Sequence, residues 1–161
     1  MHNLENEKKE CVSADKGQID HAEFFHDDEF ARKYPGVRVP PPCFLSSEAK
    51  IIEHEPNKSL TIAFSVREDQ TNPVGSLQGG ILASFFDNTF GPLSFRTMHK
   101  PYVSIDMTIN FKRPAKPGET LVIRGEFKAK GKKLLQMYGE AHNEKNKLVA
   151  TATTNLMVYE P

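Results

Sequence analysis

At 161 residues the chain is long enough for one domain with a core of its own. Its 21 basic and 21 acidic side chains cancel, so no overall field draws it to nucleic acid or an anionic membrane. No apolar run reaches the ~20 residues of a membrane span, and Met1 to Glu10 is polar, without the apolar core of a secretory signal.

The two cysteines, Cys11 and Cys43, show no ligand spacing and read as unpaired thiols of a reducing compartment, with the cytoplasm expected. Residues 1–49 read as an extension and 50–161 as the main domain. Met1 to about Lys16 is charged, poor in apolar residues and expected to be mobile. From Asp20 to Tyr34, Phe24, Phe25, Phe30 and Ala31 recur at helical spacing, predicting one helix. Asp20 and Glu23 form its capping box and Pro35-Gly36 its stop. Pro40-Pro41-Pro42 is expected to be an extended, stiff spacer.

From Lys50 the period changes. Ile51 to Glu55 is a short strand, and Leu60, Ile62, Phe64 and Val66 alternate with polar or small residues in a half-buried one. A helix begins at Gly79, and Gly91-Pro92 is expected to bend or end it. Four strands follow. In the first, Val103, Ile105, Met107, Ile109 and Phe111 are expected inward and Ser104, Asp106, Thr108 and Asn110 outward. Leu121, Ile123 and Phe127 mark the second, Leu135, Met137 and Ala141 the third, Leu148 to Val158 the fourth. Two strands, one helix and four antiparallel strands give an α+β layout, one sheet around one main helix.

The chemistry is concentrated at Asn72-Pro-Val-Gly-Ser-Leu-Gln78-Gly79-Gly80-Ile-Leu-Ala-Ser-Phe-Phe-Asp87. Gly79 and Gly80 place backbone N–H groups at a helix start, where a developing oxyanion is held. Asp87 follows among Leu82, Phe85, Phe86 and Phe90, and an acid in apolar company is expected to be desolvated. An oxyanion donor and an acid on one element point to acyl-group chemistry.

The spacing Asn-x5-Gln-Gly-Gly-x6-Asp resembles the signature of hotdog-fold acyl-CoA thioesterases, in the branch named for phenylacetyl-CoA thioesterase. Val103 to Glu119 resembles that family's third strand and turn, and Ala150 to Val158 its closing strand; the similarity covers roughly Ile51 to Tyr159. The resemblance implies a hotdog fold with five to six strands. It also implies Gly79 as oxyanion donor, Asp87 as base or nucleophile reaching a neighbouring subunit's thioester, and Asn72 placing the leaving group or water. Ser104 matches a strand hydroxyl found near the acid in some members. It further implies a homodimer or homotetramer with sites at the subunit interface, acyl-CoA as substrate, and no metal or redox cofactor. The family commonly has His where Gln78 stands. Glutamine donates a hydrogen bond but carries no proton, which leaves a non-catalytic acyl-CoA-binding domain as the alternative.

Each candidate also has a structural reading. Asp87 could pair with a buried amide or hydroxyl, Gly79 and Gly80 could permit close packing, and Asn72-Pro73 could simply start a turn. Ser104 falls on the face away from the helix by strict alternation, so it reaches a site only at a subunit boundary. Lys112 and Arg113, and the run Lys128 to Lys133, could hold coenzyme A phosphates or only face solvent. Phe86 with its neighbours Phe85 and Phe90 is a candidate wall for a medium fatty or aromatic acyl group. The six histidines share no metal-ligand spacing, and no nucleophile elbow, phosphate loop or dinucleotide fingerprint is present.

Overall fold

The computed structural model describes residues 17–160; Cys11 and the N-terminal stretch expected to be mobile lie outside them. Three short helices come first: α1 (His21–Phe25), α2 (Asp28–Lys33) and α3 (Pro42–Ser46). Strands β1 (Lys50–Glu55) and β2 (Ser59–Ser65) lead to the long helix α4 (Gly79–Met98). Then come β3 (Tyr102–Phe111), β4 (Thr120–Lys130), β5 (Leu134–Asn143) and β6 (Leu148–Val158). The six strands form one antiparallel sheet in the order β1-β2-β4-β5-β6-β3, so β1 and β3 are its edges. This is the expected α+β layout, with α4 against the sheet.

The sheet accepts α4 through a match of large to small. Phe64 of β2 stacks on Phe85 with centroids 4.4 Å apart. Two strands along, Gly125 and Gly139 pair across β4 and β5 beneath Phe90 and Phe86. A methyl group on Gly139 would stand 3.0 Å from the Phe90 ring, so only a bare backbone lets that ring lie on the sheet. Leu82, Phe85, Phe86, Phe90 and Leu93 are all buried, each contributing about 1.5–3 kcal/mol of transfer free energy.

Several expectations need correction. Helix α4 does not stop at Gly91-Pro92 but continues to Met98. Pro92 forfeits one backbone bond, yet Phe90, Leu93, Ser94 and Phe95 are buried around it, and that packing carries the helix through. The N-terminal helix is two helices. Asp27 interrupts it because its carboxylate caps a new start, accepting from the Phe30 N–H at 2.8 Å. Its other oxygen lies 2.7 Å from His99, which ends α4 in the left-handed region (φ 49°). The Phe30 N–H and then His99 hold the Asp27 carboxyl below the ordinary aspartate range. The proline run is not wholly extended, since Pro42 opens α3 at a position where its missing N–H costs nothing. Strand β2 is buried on both faces rather than one. Its outward Thr61 pairs with Arg124 and Glu53, and Arg124 also reaches Glu55 at 2.6 Å, closing over that face.

The largest departure is in β3. Ser104 pairs with Leu156 and Met107 with Thr154, so Ile105 and Asp106 together oppose Asn155 in a bulge. Leu156 and Thr154 are buried. Ser104 therefore shares the helix side of the sheet with Met107 and Ile109. Val103 and Ile105, expected inward, are 46% and 51% exposed.

Candidate active site

The loop before α4 is built by Asn72. Its side-chain oxygen accepts from the Val74 and Ser76 N–H groups, both at 3.1 Å, and its own N–H bonds to Ser76. The turn role is thus real, and among the described residues the amide nitrogen finds no acceptor. Leu77 N–H bonds to Ala115 O, which brings the loop to the turn after β3.

Gln78 is the N-cap of α4. Its side-chain oxygen and its backbone carbonyl both accept from the Ile81 N–H, each at 3.0 Å. The first turn of a helix leaves N–H groups without intrahelical acceptors. With Ile81 served, Gly79 and Gly80 are left, and among the described residues neither N–H finds an acceptor. Space beside both positions is limited by side chains rather than by backbone. A side chain at Gly80 would strike the Gln78 amide at 2.8 Å, and one at Gly79 would meet the Phe111 ring at 3.1 Å. Phe111 is 56% exposed and forms one wall beside this helix start.

Asp87 lies two turns further along. Its carboxylate accepts from the Ser104 hydroxyl at 2.5 Å, a short charge-assisted bond that the β3 bulge makes possible within one chain. The expectation that Ser104 needs a subunit boundary to reach the acid is therefore corrected. So is the expectation of a desolvated acid: Leu82, Phe85, Phe86 and Phe90 turn to the sheet, and Asp87 is exposed at the flank of the helix that meets Ser104. Phe86 is also corrected. It is wholly buried with its ring near Phe90 and Gly139, so it has no surface to offer an acyl group.

Eight residues of α-helix span about 12 Å, so Gly79 and Asp87 of one chain cannot meet on one carbonyl. Lys112 and Arg113 sit at the Gly79 end, continuing from Phe111, both exposed; the Arg113 guanidinium bonds to the Leu148 carbonyl at 2.6 Å. The Lys128 to Lys133 hairpin lies at the other end of β3, where Tyr102 bonds to the Lys132 carbonyl. Its Lys128 is held by Glu126 and its Lys130 by the Asn57 carbonyl. A cavity of ≈ 250 Å³ lined by Asp27, Phe30, Lys33 and His99 opens at the C-terminal end of α4, far from the glycines. Among the described residues no three His, Cys, Asp or Glu side chains are grouped to hold a metal ion.

Residues 74–150 match the family described as the thioesterase superfamily. The human acyl-coenzyme A thioesterase 13 is 40% identical over 70 residues, 43% of this chain and 50% of that protein. The chain thus spans about half the length of the curated relatives it matches. The PaaI protein of the E. coli phenylacetic acid degradation operon superposes with a TM-score of 0.67 at 23% identity, over 71% of this chain and 86% of that one. A hypothetical thioesterase from Streptococcus pneumoniae, solved with coenzyme A, gives 0.66 at 23% identity, over 71% and 90%. The chain has the hotdog fold, and over residues 74–150 it is similar to the thioesterase superfamily.

Proposed function

We propose that this protein is an acyl-CoA thioesterase acting on a medium-chain fatty or aromatic acyl group, with residues 50–161 as the catalytic unit and 1–49 as its extension. One observation carries the reading: α4 offers two unused N–H groups at bare glycines, and two turns on it presents an exposed carboxylate already bonded to a serine. The thioester oxygen rests on the Gly79 N–H, with Gly80 beside it. Asp87 takes a proton from water, whose oxygen attacks the carbonyl carbon, and the resulting oxyanion is held by the helix start. Collapse breaks the carbon–sulfur bond, and the leaving thiolate takes up the proton that Asp87 holds. In the nucleophilic variant of this route the Asp87 carboxylate attacks instead, and water then opens the anhydride. The Gln78 and Asn72 amide nitrogens are the remaining donors for the sulfur or the water. Lys112 and Arg113 are placed to meet phosphate.

The 12 Å between Gly79 and Asp87 requires a second copy, so each site joins one subunit's glycines to its partner's acid. The free edge of β3 and its exposed Val103 and Ile105 are the surface such a homodimer, or a homotetramer of dimers, would cover. Burial there would also give Asp87 the dry surroundings it lacks in one chain. The free thiol of Cys43 suits a cytoplasmic setting.

Release of thiol from a panel of acyl-CoAs tests the proposal. Asp87→Asn is expected to cut turnover by roughly 10²-fold or more without altering the fold. Hydrolysis near the wild-type rate in that variant would remove the assignment. The alternative, a non-catalytic acyl-CoA-binding domain, draws on Gln78, whose amide caps the helix and carries no proton. Saturable binding with no thiol release anywhere in the panel would select it.

A further inference from the structure

We propose that Asp106 is a positioning residue: it holds the β3 bulge and thereby keeps Ser104 on the helix side of the sheet, where the hydroxyl orients Asp87. The proposal rests on the assignment of Asp87 and Ser104 given above.

A bulge sacrifices part of the ladder, so something must compensate for the groups it leaves unpaired. Asp106 does this three times over. One carboxylate oxygen accepts from the Asn155 N–H at 2.9 Å, and the other accepts from the Asn155 side-chain amide at 2.8 Å. Its main-chain carbonyl accepts from the buried Thr154 hydroxyl at 2.6 Å. All three bonds cross to β6 at the point where two residues of β3 face one.

Hydrophobic burial within one chain pulls the other way. In a regular strand the period of two would carry Val103 and Ile105 inward with Met107 and Ile109, and would turn Ser104 out. The observed strand leaves Val103 and Ile105 about half exposed instead. A register that leaves two aliphatic side chains outside the chain's own core and presents a serine to a carboxylate is one that packing within a single chain does not choose. The carboxylate of Asp106 supplies the preference, and Ser104 is its consequence.

The test uses the full chain and an acyl-CoA that the wild type hydrolyses. Asp106→Ala is expected to lower kcat about 10–100-fold with KM within about twofold, the signature of a misplaced catalytic group. In a Ser104→Ala background the same change is expected to cost less than about twofold more, because the group through which it acts is already gone. Asp106→Asn replaces one of the two acceptor oxygens with an N–H donor and is expected to lose part of the kcat; the exchange Asp106→Asn/Asn155→Asp restores an amide facing a carboxylate, and most of that loss is expected to return. These near-isosteric variants carry the test if Asp106→Ala does not fold. Multiplying losses in the Ser104→Ala background, or a silent Asp106→Ala, or no recovery in the exchanged pair, would overturn the role of Asp106. Hydrolysis that survives Asp87→Asn would instead remove the catalytic assignment on which it rests.

Discussion

The chemistry proposed here depends on groups that have no side chain. Gly79 matters for an N–H, and that N–H can be deleted with little harm to the helix, since proline is well suited to the first helical position. Gly79→Pro is expected to lower kcat by about 10²–10³-fold, the cost of one oxyanion donor, while the exposed Phe111 ring shifts to accept the new atoms. Circular dichroism should show helix content unchanged; full activity in the variant would assign the oxyanion elsewhere. The start of α4 at Gly79 was legible in the sequence because glycine spacing and the onset of a helical period are local properties. Ser104 was legible as a residue but not in its direction. The bulge that aims it depends on Asn155, 49 positions from Asp106, and no local period reports such a bond. The cap formed by Gln78 was missed for a different reason, glutamine being an uncommon N-cap.

At the scale of elements, α4 is seated by the facing glycines Gly125 and Gly139. Gly139→Val would drive two methyl groups into the Phe90 ring. A loss of roughly 1–3 kcal/mol is expected, visible as a fall of several degrees in Tm; an unchanged Tm would mean that the ring has room to move. The helices before β1 hold a pH-dependent contact. His54 of β1 lies edge-on to Phe24 of α1 with centroids 5.3 Å apart, and its Nε2 is buried with no hydrogen-bond partner. The Arg96 guanidinium flanks the same ring at 5.6 Å. Burial first, and Arg96 second, push the His54 imidazole below its ordinary value of 6.5. A site released from that environment then binds more protons than the docked one, so the stabilisation is full above pH 6.5 and is lost as the pH falls below it. Amide exchange in α1 is expected to rise as the pH falls from about 6.5 to 5.5, after correction for intrinsic rates, and His54→Phe should abolish the change. A protection profile that ignores pH in the wild type would contradict this. The strands and α4 were readable because apolar period and length agree there. The split between α1 and α2 was not, because the aromatic spacing runs on through His26 and Asp27 while the Asp27 cap overrides it.

For the whole molecule, the charge balance and the order of elements were enough to anticipate an antiparallel sheet around one helix. They could not reveal that Asp87 stands exposed, because apolar neighbours along a helix do not say which of its flanks the sheet covers. A site shared between two copies is the central proposal, and subunit mixing tests it directly. Gly79→Pro and Asp87→Asn chains are each expected to be nearly inactive. Unfolded together and refolded as an equal mixture, half of the dimers pair one of each, and every such dimer rebuilds one of its two sites from an intact glycine start and an intact acid. The mixture should recover about a quarter of the wild-type turnover per chain. A mixture that forms mixed dimers yet stays at the level of the separate variants would contradict the shared site.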